Sequence, residues 1–332
     1  MSNNRIEVIA TTISGSIKDW GKVNKIVPLF RKYGQEDVFL HAVDSHAEVR
    51  KLTCDLITKG TGIIISAGGS GTFNNVLEGC IDSKVGLANI TLGFLRKGSA
   101  DLIGKTLGMP DEIESAVKVF VASLAGRRTV KCDVIQAVSG KGGESSRHFV
   151  GFGGAEIFGS IPRYTENRFI KYYKGVLGQL FGDKGPFFVG ALLSILEKAV
   201  KRIGRKKTIW RISVDGQEES RGFYQVMIIL NGDLGSDLPF ARSAPLGSGD
   251  FYLFAISDLG LRMLPVQFKR AWDSSIMERP EKWGFESYRI RKVLKIEPDR
   301  DKPFPVNVDG STMICRHSAS FRIVDQINLI SK

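Results

Sequence analysis

Cysteine is scarce and scattered: Cys54, Cys80, Cys132 and Cys315 stand in no CxxC or Cys/His spacing. That pattern argues against a zinc site, and a chain of 332 residues needs no disulfide framework to hold a core. Long hydrophobic runs are missing too. The longest, PFFVGALLSIL, falls short of the ~18 residues that a membrane span requires. The N-terminus lacks the layout of a secretory signal, and RIEVIATTIS reads as a first strand. The expectation is a cytoplasmic protein, with peripheral attachment to the inner face of a membrane left open. Internal repeats and low-complexity tracts are absent. Acidic charge is in short supply: 35 Asp and Glu stand against 47 Lys and Arg, a net charge of +12. Such an imbalance suits an anionic partner, whether nucleic acid, a phosphorylated small molecule or an acidic membrane surface.

What is present is an ordinary globular composition, 42% hydrophobic and 25% charged, long enough for two domains. The first 130 residues alternate strand and helix signals. IEVIATT and DVFLHAV are strand-like, and GIIIS is a short apolar run of the kind a strand shows when both its faces are covered. Between them, WGKVNKIVPLFRKYG places Val23, Ile26, Val27 and Phe30 on one helical face, with Gly34 to close it. SHAEVRKLTCDLITKG opens with Ser45 and Glu48 at capping-box spacing. TFNNVLEGC and DEIESAVKVFVASLAG are further helices. A β-α-β-α order implies a mostly parallel sheet with flanking helices. Beyond about residue 130 the runs become short and β-prone between Gly- or Pro-containing turns, as in an antiparallel sandwich. Expected are an α/β domain over 1–130 and a β-sandwich domain over 131–332, the last strand being free to return to the first domain. One basic helical insertion, at about 165–204, interrupts the β pattern.

The stretch SAGGSGTFNNVLEGC carries a glycine-rich turn between a buried strand and a helix. Such a turn lets backbone N–H groups approach an anion, and the helix N-terminus adds its dipole. It is neither a Walker A loop, since no GK[ST] follows, nor a GxGxxG fingerprint. Taken alone, it is as readily a tight strand–helix turn with no ligand. Its surroundings resemble the diacylglycerol kinase catalytic-domain family, which includes sphingosine and ceramide kinases. SAGGSGTFNNVLEG resembles that family's GGDGT…NEV…NG signature. Ser14 and Gly15 match its first loop, His46 and Ala47 its HA helix start, and GFLRKGSADLIGKTLGMP its second loop. Asp133 falls on the acidic position that opens the second domain. GFGGAEIFG and Asn231 match later positions, and VNVDGS resembles the terminal V-x-V-D-G-E. The resemblance spans nearly the whole chain, in order.

The resemblance implies a nucleotide-binding α/β domain and a β-sandwich with the active site in a cleft between them. It implies ATP against Ser14, Gly15, Gly68, Gly69, Ser70, Gly71, Thr72, Lys97, Gly98 and Ser99. Phosphoryl transfer needs positioned phosphates, Mg²⁺ and a group to accept the hydroxyl proton. Carboxylates serve the last two tasks. Here the chain departs from the family: three of its carboxylate positions hold Ser70, Asn75 and Ser311. Acids remain at Asp101, Asp133 and Asp309, which the resemblance makes the catalytic candidates, with Asp101 and Asp133 holding Mg²⁺. Asp101 could equally cap the helix that follows, and Asp309 could simply form a DG turn. Two readings follow. The first is an ATP- and Mg²⁺-dependent lipid kinase acting on a hydroxyl of diacylglycerol, a sphingoid base or ceramide. The second is a pseudokinase that binds nucleotide or lipid without transfer. The intact glycines of both loops favour the first. A soluble kinase of a nucleotide such as NAD fits the β-rich second half less well.

Residues 163–207 hold eleven Lys or Arg against three acids. Phe188, Leu192, Leu193, Leu196 and Val200 share one helical face there, and Lys198, Lys201 and Arg202 crowd its end. The segment reads either as a helix packed on the sandwich with a solvated basic end, or as a cap over a lipid acceptor, held to anionic headgroups. The expected partner is a lipid at an anionic membrane surface. Nucleic acid is not expected, because no recognition motif accompanies the charge.

Overall fold

The computed structural model describes residues 5–11, 23–96, 102–140, 145–165, 207–260 and 262–332, together with Leu193. The basic insertion, apart from Leu193, lies outside the described residues. The chain forms two compact units, Met1–Val134 with Asp325–Lys332, and Ile135–Val324.

The first unit is built on strands β1 (Ile6–Thr11), β2 (Val38–Val43), β3 (Ile63–Gly68) and β4 (Thr91–Arg96). They are all parallel, in the spatial order β2-β1-β3-β4. The end of β16 (Ala319–Ile330) adds a parallel neighbour to β4 through Asn328 and Leu329. The apolar run of β3 has the covered environment that its sequence implied, with Ile64, Ile65 and Ala67 all buried. Helices α1 (Ile26–Lys32), α2 (His46–Thr58), α3 (Ser70–Asp82), α4 (Leu102–Thr106) and α5 (Ile113–Ala125) complete the unit. The Ser45 hydroxyl accepts from Glu48 N at 3.1 Å and so caps α2. The Glu48 carboxylate reaches Asp44 N at 2.9 Å, one residue further back than in a reciprocal capping box. Val49, Leu56 and Ile57 form the buried face of α2.

The second unit pairs its strands antiparallel. One sheet runs β12 (Phe285–Ile290), β11 (Phe251–Ser257), β10 (Tyr224–Leu230), β7 (Phe152–Glu156), β14 (Phe304–Val308), β15 (Ser311–Cys315). The other includes β5 (Thr129–Ser139), β6 (Ser145–Phe149), β8 (Trp210–Val214), β9 (Gln217–Gly222) and β13 (Leu294–Pro298). Side chains of both inner faces, among them Phe149, Trp210, Met227, Phe251, Leu294 and Phe321, share one buried core. Each large apolar side chain fully buried there contributes roughly 1.5–3 kcal/mol. Helices α6 (Ile157–Thr165) and α7 (Leu264–Trp272) belong to this unit. Strand β10 therefore has two covered faces. Met227 and Ile229 point into the sandwich core, while Val226 and Ile228 face a pocket on the other side.

Strand β7 passes between β10 and β14 so closely that residue 154 must be glycine. Its φ is +154°, and a Cβ there would lie 2.1 Å from the Met227 carbonyl oxygen. Gly154→Ala is expected to destabilise the protein by at least about 3 kcal/mol, read from urea unfolding.

Candidate functional site

In an open parallel sheet, ligands gather at the carboxyl ends of the strands where the strand order reverses. The order β2-β1-β3-β4 reverses between β1 and β3, which pair in parallel from Ile6 with Ile63 to Ala10 with Ala67. The carboxyl ends at that point are Thr11 and Gly68, and the glycine loop is the exit from β3. Gly69 is the N-cap of α3 and brings no side chain to cap it. Its carbonyl accepts from Thr72 N at 3.0 Å and Phe73 N at 3.1 Å. The N–H groups of Ser70 and Gly71 have no acceptor among the described residues, and no acid stands in the first turn. A 13-residue helix with an open, half-buried N-terminus suits a phosphate.

Thr72 faces away from that opening. Its hydroxyl hydrogen-bonds the Thr11 hydroxyl at 2.9 Å, and both residues are fully buried. The pair ties the start of α3 to the end of β1. It also accounts for Gly68, where a Cβ would stand 2.4 Å from Thr72 Oγ1 and 2.7 Å from its Cβ. Gly68 and Thr72 thus pack against each other, while Gly69, Ser70 and Gly71 form the open part of the loop. The Asn75 amide donates back to Gly71 O at 2.8 Å.

The acids have structural partners. Asp133, on β5, is fully buried and accepts from Gln326 Nε2 at 2.7 Å. Asp309 is also fully buried. With Gly310 it forms a two-residue turn between β14 and β15, both residues at positive φ (44° and 82°), Val308 being paired with Ser311. The DG turn anticipated from the sequence is what the backbone adopts. The Asp309 carboxylate accepts from Val150 N at 2.9 Å, Gly151 N at 3.1 Å and Phe152 N at 2.8 Å. Asn231 holds the 150–152 segment from another side, Nδ2 donating to Val150 O at 2.7 Å. Burial raises the Asp309 carboxyl to about 6, against the opposing pull of the three N–H bonds.

Ser14, Gly15, Lys97, Gly98, Ser99 and Asp101 lie outside the described residues. Mg²⁺ prefers several oxygen ligands, carboxylates foremost. Among the described residues no group of three His, Cys, Asp or Glu side chains could hold a metal ion. Ser70, Asn75 and Ser311 are neutral, and Asp133 and Asp309 are enclosed by protein donors. The open N-terminus of α3 fits a phosphate, and Asp101, one of the two carboxylates expected to hold Mg²⁺, lies outside the described residues.

The second unit contains a feature that the sequence reading missed: a pocket of about 700 Å³, counting its open mouth, with an overwhelmingly apolar lining. Phe158 and Ile161 of α6, Ile228 of β10, Phe240, and Leu264 and Phe268 of α7 form much of its wall. An apolar lining with few polar groups is the character of a ligand pocket. No helix among the described residues is long and apolar enough to cross a membrane.

Comparison with known proteins agrees with the fold. Residues 5–137 match the sequence model of the diacylglycerol kinase catalytic domain. No curated protein matches significantly. A candidate diacylglycerol kinase from Bacillus anthracis strain Sterne superposes with a TM-score of 0.70 at 19% identity, covering 99% of this chain and 98% of that one. A diacylglycerol kinase from the same strain gives 0.64 at 17% identity, over 100% and 98%. At such identities the likeness establishes the fold. Residues 5–137 thus resemble the diacylglycerol kinase catalytic domain, and the whole chain shares the fold of these two proteins.

The Asp309 geometry yields a pH test. A carboxyl whose folded pKa is raised from 3.8 to about 6 binds its proton more tightly when folded. Its contribution is complete below about pH 4 and is lost as pH rises through about 6. Asp309→Asn removes that titration. The stability advantage of the native chain over the variant is expected to shrink by up to about 3 kcal/mol between those limits, read from urea unfolding at each pH.

Proposed function

We propose that this chain is a lipid-binding member of the diacylglycerol kinase family that keeps a phosphate site for a nucleotide but lacks the carboxylates for efficient transfer. The apolar pocket carries the proposal: it suits hydrocarbon, and the family's acceptors are lipids. The open α3 N-terminus supports a nucleotide phosphate such as one of ATP. Mg²⁺, if bound with the nucleotide, would be held by Asp133 together with Asp101 and the nucleotide's own phosphates. A net charge of +12 suits a lipid presented at an anionic membrane surface, where the protein would act peripherally.

A second reading, ATP- and Mg²⁺-dependent phosphorylation of a hydroxyl on diacylglycerol, a sphingoid base or ceramide, is favoured by one observation. Asp309, raised to about 6, titrates in the range suited to a general base. Its burial and three N–H partners weigh against that role.

Both readings are tested on one preparation. Lipid binding is measured with the fluorescent analogue of a diacylglycerol, and transfer with labelled ATP, Mg²⁺ and the three lipid classes. The proposal expects binding with no labelled lipid; rapid labelling would establish the second reading, and absence of both would overturn the lipid assignment. Ala271 lines the pocket, and Ala271→Phe is expected to weaken binding at least tenfold with the thermal midpoint little changed.

A further inference from the structure

The pocket wall contains two amides, and their hydrogen bonds fix how both are turned. Gln267 of α7 is 1% exposed, and its Nε2 donates to Ser257 O at 3.0 Å and Trp283 O at 2.7 Å. Carbonyl oxygens only accept, so that end of Gln267 must be nitrogen, and the other end is the acceptor Oε1. Gln267 Oε1 receives Gln225 Nε2 at 2.5 Å. This in turn fixes Gln225, which is 2% exposed. Its Oε1 accepts nothing, and the second N–H of its Nε2 donates to nothing, among the described residues.

Gln225 reaches the pocket through an irregularity of its strand. The register of β10 against β11 shifts between Tyr224 and Val226. Tyr224 belongs to the sandwich core, whereas Gln225 and Val226, consecutive in sequence, both line the pocket. Bulges of this kind redirect a side chain that regular alternation would place on the other face. Gln225 Oε1 is not one of the sealed, partnerless polar atoms of the interior, so it opens to the pocket, and a ligand that expels water there must fill the acceptor or leave it costly in hydrocarbon surroundings.

We infer that the pocket takes a lipid whose hydrocarbon part carries a hydroxyl, and that Gln225 is the residue that selects it. A hydroxyl can donate to Gln225 Oε1 and accept from its spare N–H, whereas a plain chain leaves both unfilled. Gln267 is the positioning residue, because its bonds to Ser257 and Trp283 hold the Gln225 amide in one orientation. This rests on the lipid-binding reading of the same pocket, and the test separates the two.

The test uses the full chain, with stearic acid and a series of monohydroxystearic acids differing in hydroxyl position, their binding followed by calorimetry. At least one hydroxylated isomer is expected to bind about fivefold to tenfold more tightly than stearic acid. In Gln225→Leu that ratio falls to about one while stearic acid still binds. Gln225→Met, an unbranched replacement, is the second variant, and the native ratio stands as a readout even if neither variant folds. If stearic acid binds and no isomer binds more tightly, the hydroxyl selection is overturned and the lipid pocket stands. If none of these acids binds, both are overturned. A preference that survives in both variants overturns the role of Gln225.

Discussion

A carboxylate buried with only peptide N–H groups to hold it sets the terms for the second unit. Asp309 closes the turn between β14 and β15 and at the same time gathers the N–H groups of residues 150–152. The turn it gathers leads directly into β7, the strand at the centre of its sheet. Asn231, at the end of β10, secures the same turn by its carbonyl. One hairpin, the link from β6 to β7 and a central strand are therefore referred to one side chain. Satisfying three backbone donors at once is what a carboxylate can do and an amide cannot. Position 309 has a strong structural reason to be aspartate whatever chemistry the protein performs.

The same distinction runs through the glycine loop. Its open part can receive a phosphate through backbone groups alone, and that capacity does not depend on any acid. Positions 70, 75 and 311, where the family has acids, hold serine, asparagine and serine. Asn75 turns back on its own helix, bonding Gly71 O. A phosphate site of this kind rests on the backbone, and a metal site would rest on side chains, so the two can change independently.

Much of the fold was legible in the sequence. Buried β3 announced itself as an apolar run, α2 through Ser45 and Glu48, and the hairpin at residues 309–310 through its DG pair. Strand β4 was less visible: Gly93 interrupts its apolar pattern, and the residues around it read more readily as a loop. Strand β12, FESYRI, and helix α7, LPVQFKRAW, passed unnoticed because each mixes charge into a short run with no strong cap or turn to mark it. The glycine loop was identified from its position between strand and helix. The inward turn of Thr72 was not, because a threonine at the second turn of a loop gives no sign of which strand it will bond. The pocket was the least legible feature. A lone glutamine in YQVMIIL and another in LPVQFKRAW were the only signals, and the bulge that decides which face Gln225 occupies has no mark in the sequence.

The contact between Gly68 and Thr72 has a consequence for how such a motif changes over time. With a threonine packed at 2.4 Å from the site of a missing Cβ, neither residue can be replaced freely while the other stays. Whatever stands at position 70, the chain is bound to this pair, because the junction of β1, β3 and α3 is built on it. Drift can change a half-buried residue without packing constraints, such as the one at position 70, long before it can touch its neighbours at 68 and 72. Survival of the glycine signature is therefore a record of packing, and turnover must be judged from the residues that packing leaves free to vary.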